Sequence, residues 1–81
     1  MKIKEKLKKI FVDLFDVEAS LTNNELNINT ISSWDSLNHL NLMITIESKF
    51  GIEISPDDFP DLYSDFETIL DFIYTEIGDD G

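Results

Sequence analysis

The apolar residues of this chain recur at helical spacing and nowhere alternate for long enough to make a pair of strands, which confines the fold to a helical one. Ile3, Leu7, Ile10, Phe11 and Leu14 step by 4, 3, 1 and 3, the signature of one buried face of an amphipathic helix over roughly residues 2–16. A second helix is expected from Asp35 or Ser36 to about Phe50, with Asp35 suited to the N-cap and Gly51 to the C-cap. Phe66, Ile69, Leu70, Ile73, Tyr74 and Ile77 give the buried face of a last helix that ends at Gly78. Ser64 followed three residues later by Glu67 reads as its capping box. Between these two helices, Ile52-Glu53-Ile54 reads as an extended link. Ser55-Pro56-Asp57-Asp58 then opens a short helix that Pro60 limits to roughly one turn and a half.

Residues 17–34 lose the periodicity and are rich in Ser, Thr and Asn, with Leu21, Leu26, Ile28 and Ile31 expected to pin a long loop to the core. Loops of this length are uncommon in small domains and are often functional. The expected architecture is all-α: a four-helix bundle with a short third helix and a long loop between helices 1 and 2. Residues 1–81 read as a single domain, with the closing Gly-Asp-Asp-Gly frayed. At this size a domain buries about 60% of its unfolded surface, so a modest stability is expected.

Charge narrows the partners. The net charge is −11, and it is unevenly spread: residues 1–9 hold five of the six lysines and one acid, leaving one lysine against 16 acids in residues 10–81. Such a surface repels nucleic acid and anionic lipid and attracts basic partners. The absence of arginine argues further against a phosphate-binding fork. With no cysteine, disulfides and thiolate metal sites are excluded. The first residues lack the continuous apolar segment of a signal peptide and no run of apolar residues is long enough to span a bilayer, so the expectation is a cytoplasmic monomer without membrane insertion.

The stretch Trp34-Asp35-Ser36-Leu37 raises the question of chemistry. Taken alone, Ser36 is a helix-start serine that needs no function. As a nucleophile it lacks support: His39, the one histidine, follows on the same helix, with no orienting acid and no Gly-x-Ser-x-Gly turn. As an acceptor modified by another protein it is well placed, because a helix N-terminus favours an attached phosphodiester. On a helical wheel, residues 36–50 carry two apolar stripes. Leu42, Met43, Ile46 and Phe50, with His39, form one; Leu37, Leu40 and Ile44 form the other, and Glu47 separates them. The second stripe is either extra core or an exposed strip for a partner beside Ser36.

These residues carry a resemblance. Asp35-Ser36-Leu37 after a long loop and at the start of a second helix, continuing through Leu42, Ile46, Phe50 and Gly51 to Ile52-Glu53-Ile54, resembles the acyl carrier proteins over essentially the whole chain. The resemblance implies a non-catalytic carrier whose Ser36 receives 4'-phosphopantetheine from coenzyme A through a phosphopantetheinyl transferase, with Asp35 bounding the site. Acyl intermediates would ride as thioesters on the arm, whose own thiol explains why the chain needs no cysteine. Leu37, Leu40, Asn41, Ile44 and Glu47 would face acyl-loading and acyl-transferring enzymes with basic docking patches. If the inner stripe opened to admit an acyl chain, His39, Met43 and Ile46 would line the entrance; otherwise His39 is a satisfied, half-buried histidine. Fatty-acid carriers of this family usually place acids where this chain has Asn38, His39 and Asn41. Together with Trp34, this points to a specialised lipid, polysaccharide or secondary-metabolite pathway. An aminoacyl carrier of the same fold is the nearest alternative. From other classes, Asp57, Asp58, Asp61 and Asp65 suggest a cation-binding protein, although the EF-hand glycine is missing and no metal is expected. The charge alone also suits an acidic regulatory protein.

Overall fold

A computed structural model describes residues 2–18 and 20–78; all but Gly78 of the closing tail expected to fray lies outside the described residues. The chain is all-helical, with four α-helices among the described residues: α1 (Ile3–Phe15), α2 (Ser36–Phe50), the short α3 (Phe59–Leu62) and α4 (Phe66–Ile77). One apolar core joins Leu7 and Phe11 of α1, Leu42 and Ile46 of α2, Leu62 of α3, and Phe66 and Ile69 of α4.

Helix α1 turns Ile3, Leu7, Ile10, Phe11 and Phe15 inward. Phe15 takes the innermost place at the end of the helix and Leu14 is only half-buried, because the flat ring packs against Trp34 with centroids 5.4 Å apart. Three of the lysines in this helix, away from its first residues, have partners. Lys8 donates to the Leu21 carbonyl, Lys6 lies 5.0 Å above the Phe50 ring, and Lys9 pairs with Asp13 at 3.3 Å.

The loop after α1 is ordered by its own chemistry. A one-turn 3-10 helix, Asn23–Glu25, begins with a reciprocal cap: Glu25 accepts from the Thr22 amide at 2.9 Å and from its hydroxyl at 3.0 Å. These bonds hold the Glu25 carboxyl below the usual carboxylate range, the backbone amide contributing most. Leu26, Ile31 and Trp34 are buried and pin the loop, whereas Ile28 remains exposed, against the expectation for it. The turn at Asn27 aims Ile28 outward, since its side chain caps the amides of Asn29 and Thr30.

Three expectations for the second half are corrected. The third helix is short as expected, but Pro60 is not what limits it. A 3-10 turn, Pro56–Asp58, leads straight into α3, where Pro60 occupies the second position and needs no amide hydrogen. The N-cap of α4 is Asp65, not Ser64: the Asp65 carboxylate accepts from the Thr68 amide at 2.8 Å. Ser64 is held back by tertiary structure. Its carbonyl accepts from the Ile28 amide at 3.0 Å while the Phe66 amide donates to the Leu26 carbonyl at 2.8 Å, so the Asn27–Asp65 bridge keeps this segment extended for one residue more. Ile77, expected on the buried face of α4, is exposed at the last position of the helix.

Candidate functional site around Ser36

Ser36 is the first residue of α2, and the structure fixes its approach from several directions. Asp35 caps the helix by accepting from the Asn38 amide at 2.9 Å, and the Asn38 side chain donates back to the Ser33 carbonyl at 2.7 Å. The Ser33 hydroxyl in turn donates to the Phe15 carbonyl at 3.3 Å, tying the approach to the end of α1. The turn into α2 is therefore rigid on both sides of the serine. Ser36 itself is exposed, and its hydroxyl has no hydrogen-bond partner among the described residues.

Behind the serine, four residues form a hydrogen-bonded circuit. The Trp34 indole N–H donates to His39 Nδ1 at 3.1 Å, His39 Nε2–H donates to the Phe59 carbonyl at 2.7 Å, and the Tyr63 hydroxyl donates to the Trp34 carbonyl at 3.0 Å. Phe59 and Tyr63 stand at the two ends of α3, so the circuit ties the pre-serine loop, α2 and α3 together. The His39 and Tyr63 rings lie 4.9 Å apart at 33°, and Phe11 meets Trp34 edge-on at 5.2 Å and 87°.

This arrangement fixes the chemistry of His39. An acceptor at Nδ1 and a donor at Nε2 are what the neutral ring with its proton on Nε2 provides. The imidazolium would turn Nδ1 into a donor facing the indole donor. Burial, at 5% exposure, pushes the His39 pKa below its ordinary 6.5 by desolvation, opposed by the Phe59 carbonyl. Both nitrogens are occupied, so His39 offers Ser36 no base.

Beside Ser36 lies an open cavity of about 390 Å³, lined by Ser36, His39, Leu40, Phe59, Pro60 and Tyr63. Of the residues expected to line an acyl entrance, only His39 borders it. Met43 and Ile46 sit deeper, fully packed in the core.

The second stripe of α2 is exposed: Leu37 is 69%, Leu40 44% and Ile44 54% accessible, whereas His39, Leu42, Met43 and Ile46 are buried. The inner stripe meets the core's needs without these three side chains. They form an apolar strip on the helix that starts at the serine.

Sequence comparison gives this geometry its family. The Acyl carrier protein of Solidesulfovibrio magneticus is 36% identical over 58 residues, covering 72% of this chain and 74% of that protein. The Acyl carrier proteins of Nitratidesulfovibrio vulgaris strains DP4 and Hildenborough are likewise 36% identical over 58 residues, covering 72% of this chain and 76% of theirs. The chain belongs to the acyl carrier protein family. No family model matches it.

In this acyl carrier protein family member, the remaining site residues have unequal surroundings. Asn41 is exposed on α2, its side chain 3.4 Å from that of Asn38. Glu47 is half-buried, and its carboxylate accepts from the Ile54 amide at 2.9 Å, fastening the link that leads to α3. A structural duty therefore accompanies any contact Glu47 makes with a partner. Phe59 and Tyr63 of the cavity escaped the sequence reading, and Pro60 and Asn38 entered it only as a helix limit and as an uncharged position near the serine. Asn38 could have been found, because a side chain three residues after an N-cap lies within reach of the preceding loop. Nothing local marks Tyr63, whose partner Trp34 is 29 residues away. Among the described residues no three acidic or histidine side chains converge as metal ligands, and Asp65, one of the four candidate acids, is spent as the α4 cap.

Proposed function

We propose that residues 1–81 act as one carrier domain that transports acyl groups as thioesters on a 4'-phosphopantetheine arm attached to Ser36. The observation that carries the reading is an exposed serine with a free hydroxyl at a rigidly capped helix start, in a chain of this family with no base within its own reach. Attachment needs the catalyst to come from outside. A phosphopantetheinyl transferase removes the hydroxyl proton, Ser36 Oγ attacks the phosphorus of coenzyme A that bears the pantetheine, and the pyrophosphate bond breaks. A phosphodiester forms and adenosine bisphosphate departs. The first-turn amides of α2 and its dipole stabilise the added charge.

The arm brings the thiol that the chain lacks. Leu37, Leu40 and Ile44 supply apolar anchors for loading and transferring enzymes; Asn41 and Glu47 border them, and the acidic surface steers basic docking patches towards the strip. Uncharged Asn38, His39 and Asn41 near the serine support a specialised lipid, polysaccharide or secondary-metabolite pathway, in the cytoplasm, with the carrier a monomer.

The test is intact mass after incubation with coenzyme A and a broad-specificity phosphopantetheinyl transferase. Wild-type protein should gain one phosphopantetheine, and Ser36→Ala should gain none. No gain in wild type, while a known carrier in the same tube reacts, would overturn the reading.

A further inference from the structure

We propose that the Trp34–His39–Phe59–Tyr63 circuit closes the inner end of the cavity beside Ser36, so that this carrier suits acyl groups of small apolar area and gives a long alkyl chain no interior to enter. The inference rests on the reading of Ser36 as the tether point.

The cavity of about 390 Å³ is open to solvent, with exposed Leu40 and Pro60 at its lips and the rings of His39 and Tyr63 inside it. A chain extending from Ser36 towards the core would meet the His39 and Tyr63 rings, which line the cavity. To pass, it must separate Nε2 from the Phe59 carbonyl or Nδ1 from the Trp34 indole, both held by hydrogen bonds of 2.7 and 3.1 Å. Trp34 and His39 are 2% and 5% exposed, so either break leaves a polar atom buried without a partner. No buried side-chain polar atom among the described residues is unsatisfied in the closed arrangement. Behind the circuit, Leu42 and Met43 are at 0% and Ile46 at 1% exposure, and Trp34 packs against both Phe11 and Phe15. The far side of the obstruction is therefore packed side chains. A cargo that stays outside keeps its methylenes in water, and the free energy of that exposure grows with each one. Short or hydrophilic acyl groups avoid it.

The experiment loads the full chain with acetyl-, butyryl-, octanoyl- and dodecanoyl-4'-phosphopantetheine from the matching coenzyme A thioesters, using a broad-specificity phosphopantetheinyl transferase. Intact mass confirms each product. The readouts are Tm and the rate at which hydroxylamine cleaves the thioester. All four products should melt together and be cleaved at similar rates. His39→Ala removes the obstruction, so its octanoyl form should melt above its acetyl form and be cleaved several-fold more slowly. Trp34→Phe, which removes one hydrogen bond of the circuit, should show the same trend if His39→Ala does not fold. A wild-type Tm that climbs with chain length, with slowing cleavage, overturns this inference and leaves the carrier reading intact. Equal behaviour of octanoyl and acetyl forms in a folded variant also overturns it. Absence of any mass gain overturns the carrier reading and this inference with it.

Discussion

Replacing Trp34 with Phe isolates one hydrogen bond of the circuit, and its effect can be worked from the geometry. The substitution keeps an aromatic ring against Phe11 and Phe15 but removes the indole donor 3.1 Å from His39 Nδ1. His39 is 5% exposed, so water does not readily replace the donor, and a buried acceptor left alone costs about 1–3 kcal/mol. Loss of part of the bicyclic ring from a site at 2% exposure adds about 1 kcal/mol. The total is about 2–4 kcal/mol, a large share of the stability of a small domain. For a domain of this size each kcal/mol moves Tm by about 4–8 °C, so a fall of at least about 8 °C is expected. Urea unfolding followed by far-ultraviolet circular dichroism measures this directly, which matters because Trp34 is the only tryptophan and tryptophan emission disappears with it. The same variant carries a second, independent signature. With the indole N–H gone, no donor faces Nδ1, so the His39 pKa read by NMR should rise from its depressed wild-type position while burial still holds it below 6.5. A stability loss below about 0.5 kcal/mol, together with an unmoved His39 pKa, would refute the reasoning.

Three further outcomes follow from the same geometry. His39 has a folded pKa below 6.5, so its unfolded form binds the proton more readily; the stability it contributes is fully present above pH 6.5 and is lost as pH falls below it. Denaturant melts between about pH 7 and pH 5 should show this loss, and it should be weaker in Trp34→Phe. Gly51 caps α2 at φ 67° with open space where a Cβ would stand, so Gly51→Ala should cost about 1 kcal/mol from backbone strain alone and Gly51→Asn less, by urea titration. Glu47→Ala removes the acceptor of the Ile54 amide and should cost about 1–2 kcal/mol, whereas Glu47→Gln retains an acceptor and should recover much of it. The pair separates the structural duty of Glu47 from its charge, which an assay of docking to a basic partner would read.

The features legible in the sequence are those decided within one turn of chain. Asp35 at the start of α2, Gly51 at its end and Ser55 ahead of Pro56 all stand where local capping chemistry puts them. The division of α2 into two apolar stripes followed from its period, whereas the exposure of the second stripe is decided by how the other helices pack. What escaped was set by distant residues. Asp65 rather than Ser64 caps α4 because Leu26 and Ile28 hold the preceding backbone extended. Phe15 rather than Leu14 is buried because Trp34 offers it a flat surface. At the site, Ser36 and its cap were readable, whereas the cavity was not, because α3 forms one wall of it and Trp34, His39 and Tyr63 meet only in three dimensions.

The bond from the Tyr63 hydroxyl to the Trp34 carbonyl spans 29 residues and sets a rule for building hybrids from this chain. A segment containing only residues 34–50 would carry Trp34 and His39 into a new host but leave their α3 partners behind. The transplant would then present its serine on a loop anchored at one side only. Moving residues 33–63 as a block keeps the Ser33, Phe59 and Tyr63 ends of the network with the serine they steady. The unit of exchange in this chain is thus the loop with two helices, and α2 swapped alone should leave a hybrid that melts lower than one carrying residues 33–63 as a block.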